Sequence, residues 1–441
     1  MPTRKFIATV GLAYGDEGKG TITDWLARYY EASLVVRYNG GAQAYHTVYD
    51  GSKKHIFRQF GSGTLSGART ILGPQVVVNP LTMIREAAEL RKLGVVNPLK
   101  LMTVDANALV VTPYHRALNV IREHMRVSRH GSTGMGIGEV RHISLEAPHL
   151  ALRVRDFDLT AGSLARKLAI LRIELHNVAI HLGASNYAEL AKELSNLGDT
   201  SEWRTETLAE LYQVWAKDTA IETTPNLKLQ ISACPTHVVF EGAQGVLLDQ
   251  HHGFHPHTTW SNTTALHAFE LIPQLQHKDV EVIGITRTFT TRHGLGPLVT
   301  EGRMRTGMIE DDDNEPGTYQ GRLRCGALDA YALSYAMKIC QFQGCDITQL
   351  AVTHCDKFDG HMTWPVCFRY ENEPFVPLKA YCCPEEAGDL ATQFTTALMK
   401  STPLIEDCKT YKVLDVLSEY LDVPIAVKSY GKSSENKIKL L

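Results

Sequence analysis

One short segment near the start of the chain constrains the fold more than any other. The apolar run 6–10 leads into a glycine-rich turn over 11–20, and an amphipathic stretch with helical spacing follows over 21–30. Glycines let the backbone approach a phosphate closely, and a helix start offers unpaired N–H groups. The sequence therefore predicts a strand-turn-helix unit that binds phosphate, similar to a P-loop.

Further apolar runs along the chain predict a large sheet. We predict additional strands at residues 34–37, 76–78, 238–240, 282–285 and 350–353, and helices at 81–93 and 156–176. Strands that alternate with helices, with polar loops at the strand ends, are typical of α/β folds. We therefore expect one α/β domain over 1–441, with a mainly parallel central sheet flanked by helices. The polar, helix-like region within 155–235 is expected to form an inserted helical lobe.

Composition excludes several functional classes. The formal net charge of −3 over 441 residues leaves no basic excess to bind a nucleic-acid backbone. No segment approaches the roughly 18 consecutive apolar residues of a membrane helix, and the N-terminus lacks a signal-peptide core. The nine cysteines form no zinc-type pair, so we expect reduced thiols in a cytoplasmic protein. The acidic run 310–315 is expected to be a solvated loop.

The charged residues inside the glycine-rich turn indicate phosphate chemistry. Lys19 provides a cation for a phosphate, although Gly20 separates it from Thr21, unlike the regular P-loop spacing. Asp16 and Glu17 lie in the same turn. An acid at this position repels phosphate unless it holds Mg²⁺ or acts as a base.

Seven segments carry a resemblance to a known family. They are GDEGKG at 15–20, NGGAQAYHT at 39–47, FGSG at 60–63, STGMGIG at 132–138, FEGAQG at 240–245 with SNTT at 261–264, TTRHGLGP at 290–297, and GRLRCG at 321–326 with LD at 328–329. In this order they resemble the signature segments of adenylosuccinate synthetases. The resemblance frames most of the chain, while residues 155–235 and 365–425 contribute little to it.

The resemblance implies a ligase that couples GTP hydrolysis to joining IMP with L-aspartate, with Mg²⁺ as cofactor. The γ-phosphoryl group of GTP makes the 6-oxo group of the purine a good leaving group, and the amine then displaces phosphate. Asp16 matches the catalytic base that also contacts the metal, and His46 matches the general acid. Lys19 matches the phosphate-binding lysine, and the backbone carbonyl of Tyr45 is expected to complete the metal site.

The resemblance also implies the binding residues and a homodimer. For the acceptor nucleotide the expected residues are Gln43, Thr133, Gln244, Thr259 and Arg324. For the amino acid they are Gln320 and Arg322. For GTP they are Gly15, Gly18, Gly20, Thr47, His354, Asp356, Ser429 and Gly431. Small-molecule substrates are the expected partners, and neither nucleic acid nor a membrane is expected.

The chain departs from the family pattern at positions that are expected to bind the substrates. Tyr45 replaces a glycine, Met135 an arginine, Glu139 a proline and His354 a lysine. The arginine that would reach the nucleotide phosphate of a partner subunit has no clear equivalent, and the segment 319–322 loses two threonines. These changes leave three questions open: whether GTP or ATP is the energy donor, which nucleotide is the acceptor, and which amine is joined to it.

Two alternatives therefore accompany IMP and aspartate. One is a paralogue with another acceptor, such as a GMP or dGMP type, or with another amino acid. Phage relatives of that type usually lack the acid that Asp16 supplies here. The other is a nucleotide-binding sensor without turnover. The histidine-rich segment 251–257 is expected to line the acceptor pocket, with a zinc or nickel site as its alternative.

Overall fold

The computed structural model describes residues 4–126, 131–198, 203–275, 279–304, 321–372 and 384–440, with the side chains of 384–390 excepted. The acidic run 310–315 and Gln320 lie outside these ranges. No helix in the described part of the chain is long and apolar enough to cross a membrane. Seven cysteines within it have free thiols: Cys234, Cys325, Cys340, Cys345, Cys355, Cys367 and Cys408.

Strands and helices alternate along most of the chain. The strands are β1 (Phe6–Gly11), β2 (Leu34–Arg37), β3 (His46–Asp50), β4 (Lys53–Phe57), β5 (Arg69–Leu72), β6 (Val77–Val78), β7 (Met102–Asp105), β8 (Leu109–Val110), β9 (Ala220–Glu222), β10 (Val238–Gly245), β11 (Val280–Arg287), β12 (Thr290–His293), β13 (Leu323–Gly326), β14 (Leu328–Asp329), β15 (Gln349–Thr353), β16 (Thr363–Tyr370), β17 (Pro403–Lys409), β18 (Ile425–Ser429) and β19 (Lys437–Lys439). The helices are α1 (Lys19–Tyr29), α2 (Pro80–Lys92), α3 (Pro113–Met125), α4 (Ile137–Glu146), α5 (Ala161–His181), α6 (Ala191–Leu197), α7 (Thr205–Asp218), α8 (Thr224–Ala233), α9 (Leu266–Glu270), α10 (Ala330–Phe342), α11 (Pro384–Met399) and α12 (Val413–Leu421).

A ten-stranded sheet forms the centre of the molecule, in the order β19-β18-β15-β11-β1-β10-β2-β5-β7-β9. Its neighbouring strands are parallel except β18 and β19, which pair antiparallel. The predicted α/β class with a mainly parallel sheet is therefore confirmed.

Helices cover both faces of the sheet, which explains why its central strands are apolar throughout. On β1, Phe6, Ala8 and Val10 join one hydrophobic cluster, and Ile7 between them joins another, together with Trp25 of α1. A strand buried on both faces has a continuous apolar sequence rather than an alternating one. This is the reason that the short apolar runs predicted strands correctly.

The other predicted elements differ in detail. The strands predicted at 34–37, 238–240, 282–285 and 350–353 belong to the central sheet, whereas Val77–Val78 pairs with β8 in a separate two-stranded sheet. The helix predicted to start at 156 begins at Ala161, because the hydroxyl of Thr160 accepts a hydrogen bond from the backbone N–H of Ser163 and caps it. The region 185–235 also contains the short edge strand β9.

The helices after residue 160 pack around a shared apolar centre. Leu164 and Leu168 of α5 join the cluster that contains Trp215 of α7 and also Phe57 and Met83 from the earlier part of the chain. The division into one domain with an inserted lobe at 155–235 stays a prediction.

Parallel pairing brings several loops to one edge of the sheet. The glycine-rich turn follows β1, whose neighbours are β10 and β11, and β15 lies beyond β11. In open α/β sheets, ligands bind outside the carboxyl ends of the strands. Predicted site residues lie at the ends of three of these strands: the phosphate loop follows β1, Gln244 lies at the end of β10, and His354 and Asp356 follow β15.

Candidate active site

The glycine-rich turn has the backbone shape of an anion site. Gly15 has φ 108° and Gly18 has φ 91°, values in the left-handed region that favours glycine. Gly18 caps α1, and as a glycine it has no side chain that could bond to the helix start. The first N–H groups of α1 therefore remain available to a phosphate, and the helix dipole adds positive potential there.

Glu17 braces this turn from the inside. Its Oε1 accepts hydrogen bonds from the backbone N–H of Ala13 at 3.0 Å and of Gly15 at 2.7 Å. Its Oε2 lies 2.7 Å from Nζ of Lys19, and both side chains are nearly completely buried, at 3 % and 1 % exposure. Sequence analysis gave Glu17 no role of its own. The structure indicates that it fixes the loop and orients the lysine.

Asp16 lies on the open side of the same turn. Its side chain is 33 % exposed, and its Oδ2 is 3.7 Å from Nε2 of His293 on β12. Its backbone carbonyl accepts a hydrogen bond from Nε of Arg287, at the end of β11. The neighbouring strand thus anchors the backbone of Asp16 and leaves the carboxylate accessible.

His46 forms a buried pair with Glu241, although the two residues are far apart in sequence. Nδ1 of His46 lies 2.6 Å from Oε1 of Glu241, and their side chains are 6 % and 0 % exposed. Oε2 of Glu241 accepts from the backbone N–H of Ser62 at 2.9 Å, and the Ser62 hydroxyl donates to Oε1. The carboxylate is therefore fully hydrogen-bonded and holds the imidazole in one orientation.

This pair sets the protonation chemistry of the histidine. Burial alone raises the pKa of Glu241, but His46, Arg37 and Ser62 outweigh it and lower that pKa. Burial lowers the pKa of His46, and the Glu241 carboxylate only partly opposes this. The Nδ1–H group of His46 donates a hydrogen bond to the carboxylate. The ring's first proton is therefore on Nδ1, and Nε2 carries a proton only when the imidazole is charged. An anion at Nε2 would favour that charged form.

A close contact places His46 beside the phosphate loop. A Cβ at Gly20 would lie 2.7 Å from Cβ of His46, so only glycine allows β3 to approach α1 this closely. Thr47 follows on β3 and is half-buried. Tyr45 precedes it, with a 57 % exposed side chain whose ring lies under the Arg58 guanidinium.

Thr353, at the end of β15 and just before the predicted GTP residues His354 and Asp356, packs against the phosphate loop. The Thr353 hydroxyl donates to the Glu17 carbonyl at 2.9 Å, and a Cβ at Gly18 would lie 3.2 Å from Cγ2 of Thr353. His354 has φ 61° and starts a short 3-10 turn that contains Asp356. The structure thus brings this turn directly to the phosphate loop.

Gln244 and Gln43 lie near the same edge. Gln244 has φ 66°, and a Cβ at Gly15 would meet its Cα at 3.4 Å. Gln43 is 9 % exposed, and its amide N and O have no hydrogen-bond partner among the described residues. A buried unpaired amide is costly in a folded chain, so its presence points to a ligand.

The loop 132–138 ends at the start of α4. Gly136 has φ 77° and caps this helix without a side-chain hydrogen bond, and Thr133 lies half-buried before it. Glu139 in the first turn pairs with Arg122 of α3 at 3.0 Å. Burial raises the pKa of Glu139, and Arg122 opposes this shift. The added acid and the nearby arginine therefore satisfy each other.

Trp260 is a large exposed residue beside the predicted acceptor residues. It follows Thr259, is 47 % exposed, and its indole would lie 3.2 Å from a Cβ at Gly138 on α4. The His142 ring packs against it with centroids 6.3 Å apart. Sequence analysis did not single out this residue.

The two predicted arginines of the 321–326 segment have different environments. Arg324 makes two hydrogen bonds to the Glu301 carboxylate, at 2.9 and 2.6 Å, and two to the carbonyls of Gly294 and Gly296. Arg322 is exposed. Gln320, the other predicted amino-acid residue, lies outside the described residues.

Comparisons with known proteins agree over nearly the whole chain. Residues 8–438 match the family model described as adenylosuccinate synthetase. The adenylosuccinate synthetase of Francisella philomiragia is 32 % identical over 440 residues, which cover 98 % of this chain and 93 % of the relative. The enzyme of Francisella tularensis subsp. novicida is 31 % identical with the same coverage.

The chain belongs to the adenylosuccinate synthetase family. It is therefore a ligase that forms carbon–nitrogen bonds.

Solved structures support the same fold. The fully ligated adenylosuccinate synthetase of Plasmodium falciparum has a TM-score of 0.75 and 22 % identity, covering 99 % of this chain and 100 % of that one. Succinoaminodeoxyadenylate synthetase of cyanophage S-2L, bound to dGMP and to dATP as an energy donor, has a TM-score of 0.58 and 14 % identity, covering 99 % and 95 %.

Several residues of this synthetase-family site escaped sequence analysis. Glu241 lies in the FEGAQG segment and Ser62 in the FGSG segment, but neither segment by itself indicates a role for these two residues. The resemblance of separate segments to one family does not show which of their atoms meet in the folded chain. Only the folded chain shows that these two residues serve His46.

Proposed function

We propose that this chain joins IMP and L-aspartate to form adenylosuccinate, with GTP as the energy donor. The observation that carries this proposal is the buried His46–Glu241 pair packed against the phosphate loop through Gly20. A histidine that a carboxylate orients, next to a glycine-capped helix start and a buried lysine, suits phosphoryl transfer.

In the first step Asp16 removes the N1 proton of the purine, so that electron density shifts to O6. O6 attacks the γ-phosphorus of GTP, the bond to the β-phosphate oxygen breaks, and GDP leaves. Lys19 and the N–H groups of α1 hold the phosphates. Charged His46 donates a hydrogen bond from Nε2 to the phosphate oxygens, and Glu241 stabilises its charge.

In the second step the neutral amine of aspartate attacks C6. The C6–O bond breaks, inorganic phosphate leaves, and the amine loses a proton. Arg322 and Arg324 are proposed to hold the amino-acid carboxylate and the acceptor, because a guanidinium matches a carboxylate with two parallel hydrogen bonds. Arg324 must then exchange part of its bonding with Glu301.

The donor atoms in the loop fit Mg²⁺. This cation prefers oxygen ligands and usually binds through one or two protein oxygens together with substrate phosphates. The accessible carboxylate of Asp16 meets that need, and we propose that the Tyr45 carbonyl joins it. When bound, Mg²⁺ would neutralise charge on the transferring phosphoryl group.

One incubation tests the proposed function. The protein is mixed with GTP, Mg²⁺, IMP and L-aspartate, and adenylosuccinate and GDP are measured by mass spectrometry. Equal amounts of both products are expected. Omitting IMP or aspartate controls for simple GTP hydrolysis, which would yield GDP alone. GTP binding without adenylosuccinate would contradict the assignment of substrates.

A second candidate is the same chemistry on another oxo-purine nucleotide or another amino acid. The Arg122–Glu139 pair and the exposed Trp260 favour it, because both lie where the acceptor is expected to bind. Replacing IMP by GMP or dGMP, and aspartate by other amino acids, in the same incubation separates the two candidates. A larger product yield with a replacement would favour the second.

We also propose the remaining family properties for this chain. They are a homodimer, a cytoplasmic location, small-molecule partners without nucleic acid, and one domain with a helical lobe at 155–235. Sedimentation analysis with and without ligands tests the dimer, and a mass of one chain at micromolar concentration would contradict it.

A further inference from the structure

A buried lysine lies next to the proposed donor site without a role in the chemistry. Lys437 is the first residue of β19 and stands opposite Ser429 in the register of β18 and β19. It is only 8 % exposed. Burying an ammonium group is costly unless it is fully hydrogen-bonded. We call the connection 430–436 between these strands the C-terminal turn.

The Lys437 ammonium joins two separate parts of the chain. It donates to the hydroxyl of Thr21 at 2.5 Å, to the Gly431 carbonyl at 3.0 Å and to the Ser433 carbonyl at 2.6 Å. These three acceptors use its three N–H groups. The Thr21 hydroxyl in turn donates to the Lys432 carbonyl at 2.9 Å. Thr21 lies in the first turn of α1, so this network ties the C-terminal turn to the phosphate helix.

The C-terminal turn also contacts the strand that starts with His46. Ser433 pairs with Tyr49 of β3 in an isolated bridge, and Lys432 lies 5.7 Å from the centre of the Tyr49 ring. Movement of this turn would therefore displace contacts with both α1 and β3.

The charges around Lys437 support a held cation. The carboxylates of Asp24 on α1 and of Asp356 after β15 both attract it, although burial dominates and lowers the pKa of Lys437 to about 8. Asp356 is the residue expected to read the donor base. The ammonium thus lies between the phosphate helix, the turn and the base-reading segment.

We propose that Lys437 is a positioning residue for the energy-donating nucleotide. By tying the C-terminal turn to α1, it holds Ser429 and Gly431 in place as a wall of the donor-base pocket. Preorganising a wall in this way improves affinity, because less ordering remains to be done on binding. This inference rests on the proposed function for the assignment of Ser429, Gly431 and Asp356 to the donor.

The test compares Lys437→Met with Lys439→Met. Lys439 lies two residues further along β19 and contacts the rings of Tyr29 and Tyr30 rather than the turn. For Lys437→Met we expect GDP and GTP to bind about tenfold more weakly by calorimetry, with the acceptor KM unchanged. For Lys439→Met we expect donor affinity within about twofold of the parent. Lys437→Arg, which keeps the charge, should recover most of the affinity.

Thr21→Val provides a second route that keeps Lys437. It removes the hydroxyl at constant shape and should weaken donor binding several-fold. The double variant Thr21→Val, Lys437→Met should be no weaker than Lys437→Met alone, because both changes cut one network. A purely structural lysine would lower the melting temperature without a selective loss of donor affinity.

The outcomes separate this inference from the proposed function. Parent protein that binds GTP, with Lys437→Met binding it equally well, overturns the inference alone. Parent protein that binds GTP but yields no ligation product overturns the substrate assignment and leaves the positioning role supported by the binding data. Parent protein that binds neither GTP nor GDP overturns both.

Discussion

The two sides of the candidate site differ in how deeply their charged pairs are buried: Lys19–Glu17 and His46–Glu241 are nearly completely buried, whereas Arg324–Glu301 is partly exposed. On the phosphate side, residues 11–20, His46 and Glu241 bond to one another and leave a helix start open. On the proposed substrate side, made by residues 132–139, 258–264 and 321–324, Arg324 pairs with the partly exposed Glu301, and Arg322 is exposed. The buried pairs support the proposed phosphoryl-transfer role of the first side, and the more exposed arginines of the second side are the groups that we propose to read the acceptor and the amine.

The largest effect is expected when Asp16, the proposed catalytic base on the phosphate side, is replaced. Asp16→Asn keeps the shape of the loop but removes the group proposed to take the N1 proton. We expect kcat to fall on the order of 10³-fold, within the range that a positioned base contributes, while GTP affinity changes little. Product assays and calorimetry measure the two quantities. Full activity in this variant would show that another group is the base.

Glu241→Gln tests whether the buried pair matters for proton chemistry. An amide cannot stabilise a charged imidazole, so we expect kcat to fall by about 10²-fold. Ser62→Ala is the matched comparison, because it removes one hydrogen bond and leaves the carboxylate in place. Its loss of kcat should be clearly smaller. Equal losses in both variants would indicate a packing role instead.

Glu301→Gln tests the substrate side. It removes the charge that holds Arg324, so the arginine should become more available and the acceptor KM should fall by about threefold to tenfold. Glu281→Gln is the control, because Glu281 pairs with Lys5 near the opposite ends of the strands. A rise in acceptor KM for Glu301→Gln would mean that the pair builds the site rather than competing for it.

Trp260→Ser tests whether a change on the proposed substrate side affects the acceptor alone. The indole packs over Gly138, and its removal should change the acceptor KM by a few-fold while the donor KM stays the same. Initial rates at varied IMP and varied GTP measure both. Equal changes in the two KM values would contradict the separation of the site into two sides.

The smallest expected effect concerns pH. Because the pKa of Lys437 is lowered to about 8 from 10.5, the folded chain gives up this proton more easily than the unfolded chain. Its contribution to stability therefore rises as pH increases from 8 towards 10.5, while donor affinity falls as the ammonium loses its charge. The guanine base of GTP also titrates in this pH range, and it does so equally with the parent and with Lys437→Arg. The difference in donor affinity between the two proteins therefore reports on the lysine alone. Donor affinity with the same pH dependence in both proteins would contradict the charge effect.

The sequence predicted the fold better than the connections within the site. Strands buried on both faces are continuously apolar, so the central strands could be predicted directly from the sequence. The helix α5 starts at Ala161 rather than at the predicted residue 156, because the hydroxyl of Thr160 caps it. The pairs His46–Glu241 and Lys437–Thr21 join residues far apart in sequence, and no local pattern encodes such contacts.

The most direct test of the account is a product assay on the parent protein and Asp16→Asn side by side. Each is given GTP, Mg²⁺, L-aspartate and either IMP, GMP or dGMP, and GDP and the succinylated purine are counted. We predict that the parent forms both products in equal amounts with one of the three acceptors, and that Asp16→Asn forms them on the order of 10³-fold more slowly. Succinylated purine formed by the variant at the parent's rate, or GDP without succinylated purine from the parent with every acceptor, would contradict the account.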